Sequence, residues 1–255
     1  MTDETQAIRE IERLGGFVRC DEKLPGRPVT EVHLVGSSIR NQDLQLLKTF
    51  KNLNTLTLLA PQIAETGLRA LRDLTHLTSL FVGAGHTFTD AGLSELGELT
   101  NLTALDLRSF PVTDAGLKEL AKLRTLKSLN LNSSQITDAG LQELRAFEGL
   151  TTLDLAWTRI TDAGLSELGE LKNLSYLDIG RNQITDAGLP GLRGLDKLST
   201  LFLHGTQISD AGMKLLWGFK NLTVLYVYGT RVTRAGMEDI KKSLPTIKLN
   251  GQSSE

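Results

Sequence analysis

The stretch Leu150-Thr-Thr-Leu153-Asp154-Leu155-Ala156-Trp157-Thr158-Arg-Ile-Thr161-Asp162-Ala-Gly-Leu165-Ser-Glu-Leu168-Gly-Glu-Leu171-Lys-Asn173 decides the fold, because it recurs. LSYLDIGRNQITDAGLPGLRGLDK follows from Leu174, and LSTLFLHGTQISDAGMKLLWGFKN from Leu198, a period of 24 residues. Extended both ways, the period gives nine units, starting at Val29, Leu53, Leu77, Leu102, Leu126, Leu150, Leu174, Leu198 and Leu222. One unit breaks step, because Gly83-Ala84-Gly85-His86-Thr87-Phe88 holds one residue more than its counterparts. A fixed period of this length marks a stacked array.

Each unit has two apolar phases. Leu153 and Leu155 alternate with Thr152, Asp154 and Ala156, the pattern of a strand with one buried face. Leu165, Leu168 and Leu171 step by three, so they share one stripe of a short helix or 3₁₀ segment. Thr161 between the phases is placed to cap that segment, and Asp162 lies where a helix dipole favours negative charge. No unit can bury its own leucines, so the units must stack, with parallel strands inside and helices outside. At about 4.8 Å per strand, nine strands predict a concave sheet roughly 40 Å along its arc. Pro190, Gly191 and Gly194 predict a short or irregular convex segment in the seventh unit.

LxxLxLxx followed by a small or polar residue and an apolar one resembles the leucine-rich repeat. The Thr-Asp-Ala-Gly-Leu element at Thr89, Thr113, Thr137, Thr161 and Thr185, kept as Ser209-Asp-Ala-Gly-Met, resembles a 24-residue subtype of bacterial repeat proteins akin to ribonuclease-inhibitor-like horseshoes. The resemblance implies an α/β solenoid with a concave parallel sheet and convex short helices. It also implies an Asn in the turn after each strand. Only Asn182 fits; Ser134, Thr158, Thr206 and Thr230 offer a hydroxyl, and Pro61, Gly85 and Phe110 offer no such group.

The ends are expected to cap the array. Ala7, Ile8, Ile11 and Leu14 lie at helical spacing, and Phe17 to Cys20 reads as a strand. Leu244 to Leu249 reads as a truncated tenth strand, with Gln252 to Glu255 frayed. The expected layout is an amino-terminal cap over 1–28, nine repeats over 29–245 and a carboxy-terminal cap over 246–255, together one domain.

Composition excludes several classes of function. Leucine supplies roughly one residue in five, and aromatics only 5%. The net charge of -2 arises from interspersed residues, which argues against nucleic acid as a partner. Cys20 has no second cysteine to pair with. No secretory leader or membrane-spanning run is visible, with Met1 read as the initiating residue, so a cytoplasmic protein is expected. His33, His76, His86 and His204 fall in four different units without metal-ligand spacing, and no nucleophile elbow, phosphate loop or dinucleotide fingerprint occurs. No metal, no cofactor and no enzymatic activity are expected. The recurring aspartates Asp90, Asp114, Asp138, Asp162, Asp186 and Asp210 are read as helix starts rather than a cation row.

The strand residues that alternate with the inward leucines are free to vary and face the concave side. One column runs His33, Thr57, Phe81, Asp106, Asn130, Asp154, Asp178, Phe202, Tyr226; its neighbour includes Arg108, Asn132, Gly180, His204 and Tyr228. Two patches result. The polar centre holds Asp106, Arg108, Asn130, Asp154 and Asp178. The aromatic end holds Tyr176, Phe202, Tyr226 and Tyr228, with Trp157 and His204 close by. Asp154 and Asp178 should be neighbours, an arrangement that favours a cation or a basic side chain between them, from Arg181 or from a partner's Lys or Arg, with solvation by water alone as the alternative. The expected function is a monomeric, non-enzymatic module binding a protein or peptide at these residues, with the Gly83–Phe88 loop as the next candidate. A structural module that self-associates is the alternative. A substrate adaptor for ubiquitin ligation, which the resemblance to eukaryotic adaptors raises, would need a recruitment domain for which the segment before Val29 is too short.

Overall fold

Strands form where apolar residues alternate and stop where the chain turns toward the convex side. The computed structural model describes residues 3–60, 62–83 and 89–251. Pro61, the segment 84–88 that carries Gly85, and the tail from Gln252 to Glu255 lie outside the described residues. Eleven strands among the described residues form one open sheet in chain order: β1 (Phe17–Cys20), β2 (Val29–Val35), β3 (Thr55–Leu59), β4 (Ser79–Val82), β5 (Ala104–Asp106), β6 (Ser128–Asn130), β7 (Thr152–Asp154), β8 (Tyr176–Asp178), β9 (Thr200–Phe202), β10 (Val224–Tyr226) and β11 (Lys248–Asn250). From β2 to β11 every pairing is parallel. β1 is the exception and runs antiparallel to β2, as the short loop over 21–28, closed by the Asp21 amide donating to the Pro28 carbonyl, allows.

The outer layer consists of α1 (Asp3–Arg13), α2 (Glu65–Leu68), α3 (Asp90–Leu96), α4 (Asp114–Leu120), α5 (Leu165–Leu168), α6 (Asp210–Leu215), α7 (Arg234–Ser243) and 3₁₀ segments between them. Leu153, Leu155, Leu165 and Leu168 have no accessible surface, so sheet and helices share one leucine core. Each such side chain contributes about 1.5–3 kcal/mol on burial. In the seventh unit the convex segment is a single 3₁₀ turn, Leu189–Leu192, with Pro190 in its first turn, where a missing amide costs no helical bond. A Cβ on Gly191 would stand 2.8 Å from the Leu165 carbonyl carbon, so the segment packs directly on the backbone of the preceding unit.

The Thr-Asp-Ala-Gly element works between units. The Thr113 amide and hydroxyl both donate to the Asp90 carboxylate, 23 residues earlier. The same pair of bonds links Asp114 to Thr137, Asp138 to Thr161, Asp162 to Thr185, Asp186 to Ser209 and Asp210 to Thr233. Each hydroxyl from Thr113 to Ser209 also accepts from the amide two residues on, as the cap reading requires. The glycine completes the element, because a Cβ on Gly140 would stand 2.2 Å from Asp114 Oδ1. The helix-dipole account of the aspartates is therefore incomplete: each carboxylate is a staple to the next unit. Asn41 and Glu65 hold the matching places earlier, accepting from the Ala64 amide and the Thr89 hydroxyl.

Among the described residues, the polar turn residues form no continuous ladder. Of the described turn residues only Asn182 reaches across, donating to the Leu155 and Ile179 carbonyls and accepting from the Thr158 amide and hydroxyl. Thr206 and Thr230 donate within their own turns, to Leu203 and Val227.

Candidate binding surface

The registers align His33, Thr57, Phe81, Asp106, Asn130, Asp154, Asp178, Phe202 and Tyr226 in one column across the sheet. At its centre, Asp106, Asn130, Asp154 and Asp178 each accept a hydrogen bond from the backbone amide two residues on, at 2.8–3.0 Å. This explains why short polar acceptors recur there: they close the turn that ends each strand. The turn then passes through a left-handed residue, namely Ser109, Ser133, Trp157, Arg181, Gly205 and Gly229 in successive units, with φ of 58 to 68°. Trp157 and Arg181 hold side chains where glycine is favoured, a placement that costs about 1–2 kcal/mol.

The four central residues differ in their surroundings. Asp106 is paired with Arg108, whose Nε lies 3.0 Å from Oδ2, and the guanidinium carbon of Arg108 stands 5.1 Å from the Phe81 ring centre. Asp154 receives the Ala156 amide and Asn132 Nδ2 at 3.5 Å. Burial raises the proton affinity of Asp154 more than these donors and Arg108 lower it. Asp178 is only 8% exposed; burial, with Asp154 alongside, pushes its pKa up to about 7 against the Gly180 amide. Burial and then the two aspartates push Tyr176 up to about 12, so its phenol stays a neutral donor.

The aromatic residues meet as a continuous surface. Phe202 stacks on Tyr226 with ring centres 4.1 Å apart and lies 5.2 Å from Tyr176. His204 stacks on Tyr228 at 5.4 Å. A Cβ on Gly180 would stand 2.3 Å from the His204 ring, so the absence of a side chain there seats the imidazole. His204 Nδ1 is 3.9 Å from Asp178 Oδ1, and burial followed by Arg181 lowers its pKa.

Arg181 does not serve Asp154 and Asp178 as the sequence allowed. Its guanidinium lies 5.1 Å from the Trp157 ring centre and 5.9 Å from that of Tyr228, and its stem crosses Gly205. Its left-handed backbone carries the side chain along the rim of the sheet. Trp157, 56% exposed, is thereby joined to the aromatic end. A concave hollow of about 360 Å³ runs from Phe81 past Asp106 and Asp154 to Tyr176. The left-handed position of Trp157 and the inter-unit staples were not read from sequence; the glycines at the matching place in later units, Gly205 and Gly229, and the fixed spacing of 23 from each Asp to the next Thr or Ser were the available signals.

Fold and repeat together define a leucine-rich repeat solenoid. Residues 148–208 match the leucine-rich repeat family, and residues 98–121 and 122–144 match a second leucine-rich repeat description. Among solved structures, an internalin (InlF) from Listeria monocytogenes str. 4b F2365 superposes with a TM-score of 0.55 at 23% identity, over 83% of this chain and 70% of that one. Internalin C2 from the same strain gives 0.57 at 26% identity, over 84% and 85% of the two chains. No curated protein matches the sequence. Because 493 solved chains match the fold, the fold alone selects no ligand.

Proposed function

We propose that this chain is a non-catalytic interaction module that receives a protein or peptide on its concave sheet, between Arg108 and Tyr228. The observation that carries this reading is the stacked row Tyr176, Phe202 and Tyr226 on a face the core does not need, since Leu177, Leu201 and Leu225 already fill the interior with no exposure. Aromatics with polar tips are the side chains most used as interface anchors. The test is Phe202→Ala with Tyr226→Ala: at least tenfold weaker partner binding by a folded protein supports the reading, and undiminished binding moves the site elsewhere.

We read the array as nine units of the Thr-Asp-Ala-Gly-Leu type over residues 29–245, capped by residues 1–28 and 246–255. The staples between units support the subtype. Ile11 of α1 and Leu34 of β2, which both approach Gly16, support the first cap.

Self-association is a second reading, favoured by one observation. Phe17, at the start of the edge strand β1, is 56% exposed. A monomer by light scattering at high concentration would remove it.

A further inference from the structure

We propose that the concave face anchors its partner through an arginine side chain, its guanidinium seated between the carboxylates of Asp154 and Asp178 and its stem lying along Phe202 and Tyr176. This rests on the concave-face reading above and specifies the group that reading leaves open.

The inference comes from what these two carboxylates lack. Their residues are direct partners on neighbouring strands, about 4.8 Å apart. The Asp178 side chain, 11% exposed, uses one oxygen to accept from the Gly180 amide, and its second oxygen has no donor among the described residues and is not sealed from solvent. The nearby cations are committed elsewhere: Arg108 to Asp106 and Phe81, and Arg181 to Trp157 and Tyr228. His204 stands 3.9 Å away, beyond hydrogen-bond reach, and its environment favours the neutral ring. Asp178 is largely drawn from water beside the part-exposed carboxylate of Asp154, on which Arg108 acts only at a distance; burial first and the neighbouring charge after it hold the Asp178 proton to about pH 7.

The flanking surface selects among occupants. An apolar side chain would leave a buried carboxylate unpaired, and an acidic one would add to the repulsion. A cation removes both costs, and the faces of Tyr176, Phe202 and Tyr226 attract positive charge. Arginine suits the place better than lysine, because a planar fork can donate to two carboxylates while lying flat on a ring. The hollow that ends at Tyr176 gives the rest of a peptide room to approach.

The test uses the full chain and three capped dipeptides, acetyl-Phe-Arg-amide, acetyl-Phe-Lys-amide and acetyl-Phe-citrulline-amide, followed by NMR. The backbone amides of Tyr176, Asp178, Phe202 and Tyr226 and the Asp178 carboxyl carbon report binding. The expected result is shifts in this column, binding of the arginine probe at least tenfold tighter than its uncharged citrulline counterpart, and a lower titration midpoint for Asp178 when it is bound. Asp154→Asn with Asp178→Asn should abolish the preference while the citrulline probe still shifts Phe202. Asn130 makes the same turn in the same column, so these variants keep the local bond. Should the double variant fail to fold, the wild-type protein carries the test by pH. Arginine binding should weaken several-fold from pH 8 to pH 6 as Asp178 takes up its proton, while citrulline binding, which shares any change at His204 but carries no charge for the carboxylate to attract, should not change. Equal binding of arginine and citrulline in this column would overturn the inference and leave the concave-face reading standing. No shifts in the column with any probe, or shifts confined to the convex side, would overturn both.

Discussion

The Asp114 carboxylate accepts from both the amide and the hydroxyl of Thr137, at 2.9 and 2.6 Å, across the boundary between two units. A solenoid is stable only if each unit holds its neighbour, and here the strand ladder holds the two units on the concave side. Two charge-assisted hydrogen bonds add a second tie where the convex segment begins. Asp114→Ala should therefore cost about 2–4 kcal/mol in urea unfolding, because it also leaves the part-buried Thr137 amide without an acceptor. Hydrogen exchange should quicken first at Thr137. A cost below 0.5 kcal/mol would mean that the staple is incidental.

Gly140 is tied to the same carboxylate. Gly140→Ala should destabilise the wild type by more than 1 kcal/mol, since its Cβ would stand 2.2 Å from Asp114 Oδ1. In the Asp114→Ala background the carboxylate is gone and only the Cβ at position 114 remains, 3.2 Å away, while alanine is the better helix former by up to about 1 kcal/mol. The substitution should then cost much less than in the wild type. A double-mutant cycle measures the coupling, and additive effects would refute the steric account.

Asp178 makes stability depend on pH. In the folded chain it keeps its proton to about pH 7, while in the unfolded chain it loses it near 4. Between these values the folded state binds more protons, so stability falls as pH rises and levels off above 7. Asp178→Asn removes this slope, leaving a smaller one of the same sign from Asp154. The variant should match the wild type near pH 3.5 and exceed it at pH 8, by on the order of 4 kcal/mol at most. Thermal unfolding at the two pH values checks this; a variant less stable at pH 8 would contradict the buried, uncompensated carboxylate.

Trp157 occupies a left-handed turn, with φ of 58°. Trp157→Gly should relieve about 1 kcal/mol of backbone strain, partly offset by loss of the contact with Arg181. Unchanged or increased stability with weakened partner binding is the expected combination. Marked destabilisation would make the tryptophan a structural residue.

Much of the scaffold was legible because each unit repeats the same constraint: Leu153 and Leu155 must point inward, and the registers place Asp154, Asp178 and Phe202 side by side as alternation implies. The antiparallel return of β1 was not legible, since the cap is not a repeat and its direction depends on how α1 packs. The staples were missed because each joins residues 23 positions apart, whereas the dipole argument considers one helix alone. Of the options the sequence left for Asp154 and Asp178, Arg181 is not the one used, because charge complementarity in sequence ignores backbone direction. Its left-handed φ turns the guanidinium toward Trp157 and away from Asp178.

The central claim is that the partner lies on the concave sheet at its aromatic end. A photo-crosslinking residue placed at Tyr228, 42% exposed on that face, and separately at Trp217, 36% exposed in the convex 3₁₀ segment Leu216–Gly218, compares the two faces with little disturbance to the core. The account predicts a crosslinked adduct from position 228 that disappears when Phe202 and Tyr226 are alanine, and none from position 217. An adduct from position 217 with position 228 silent would contradict it.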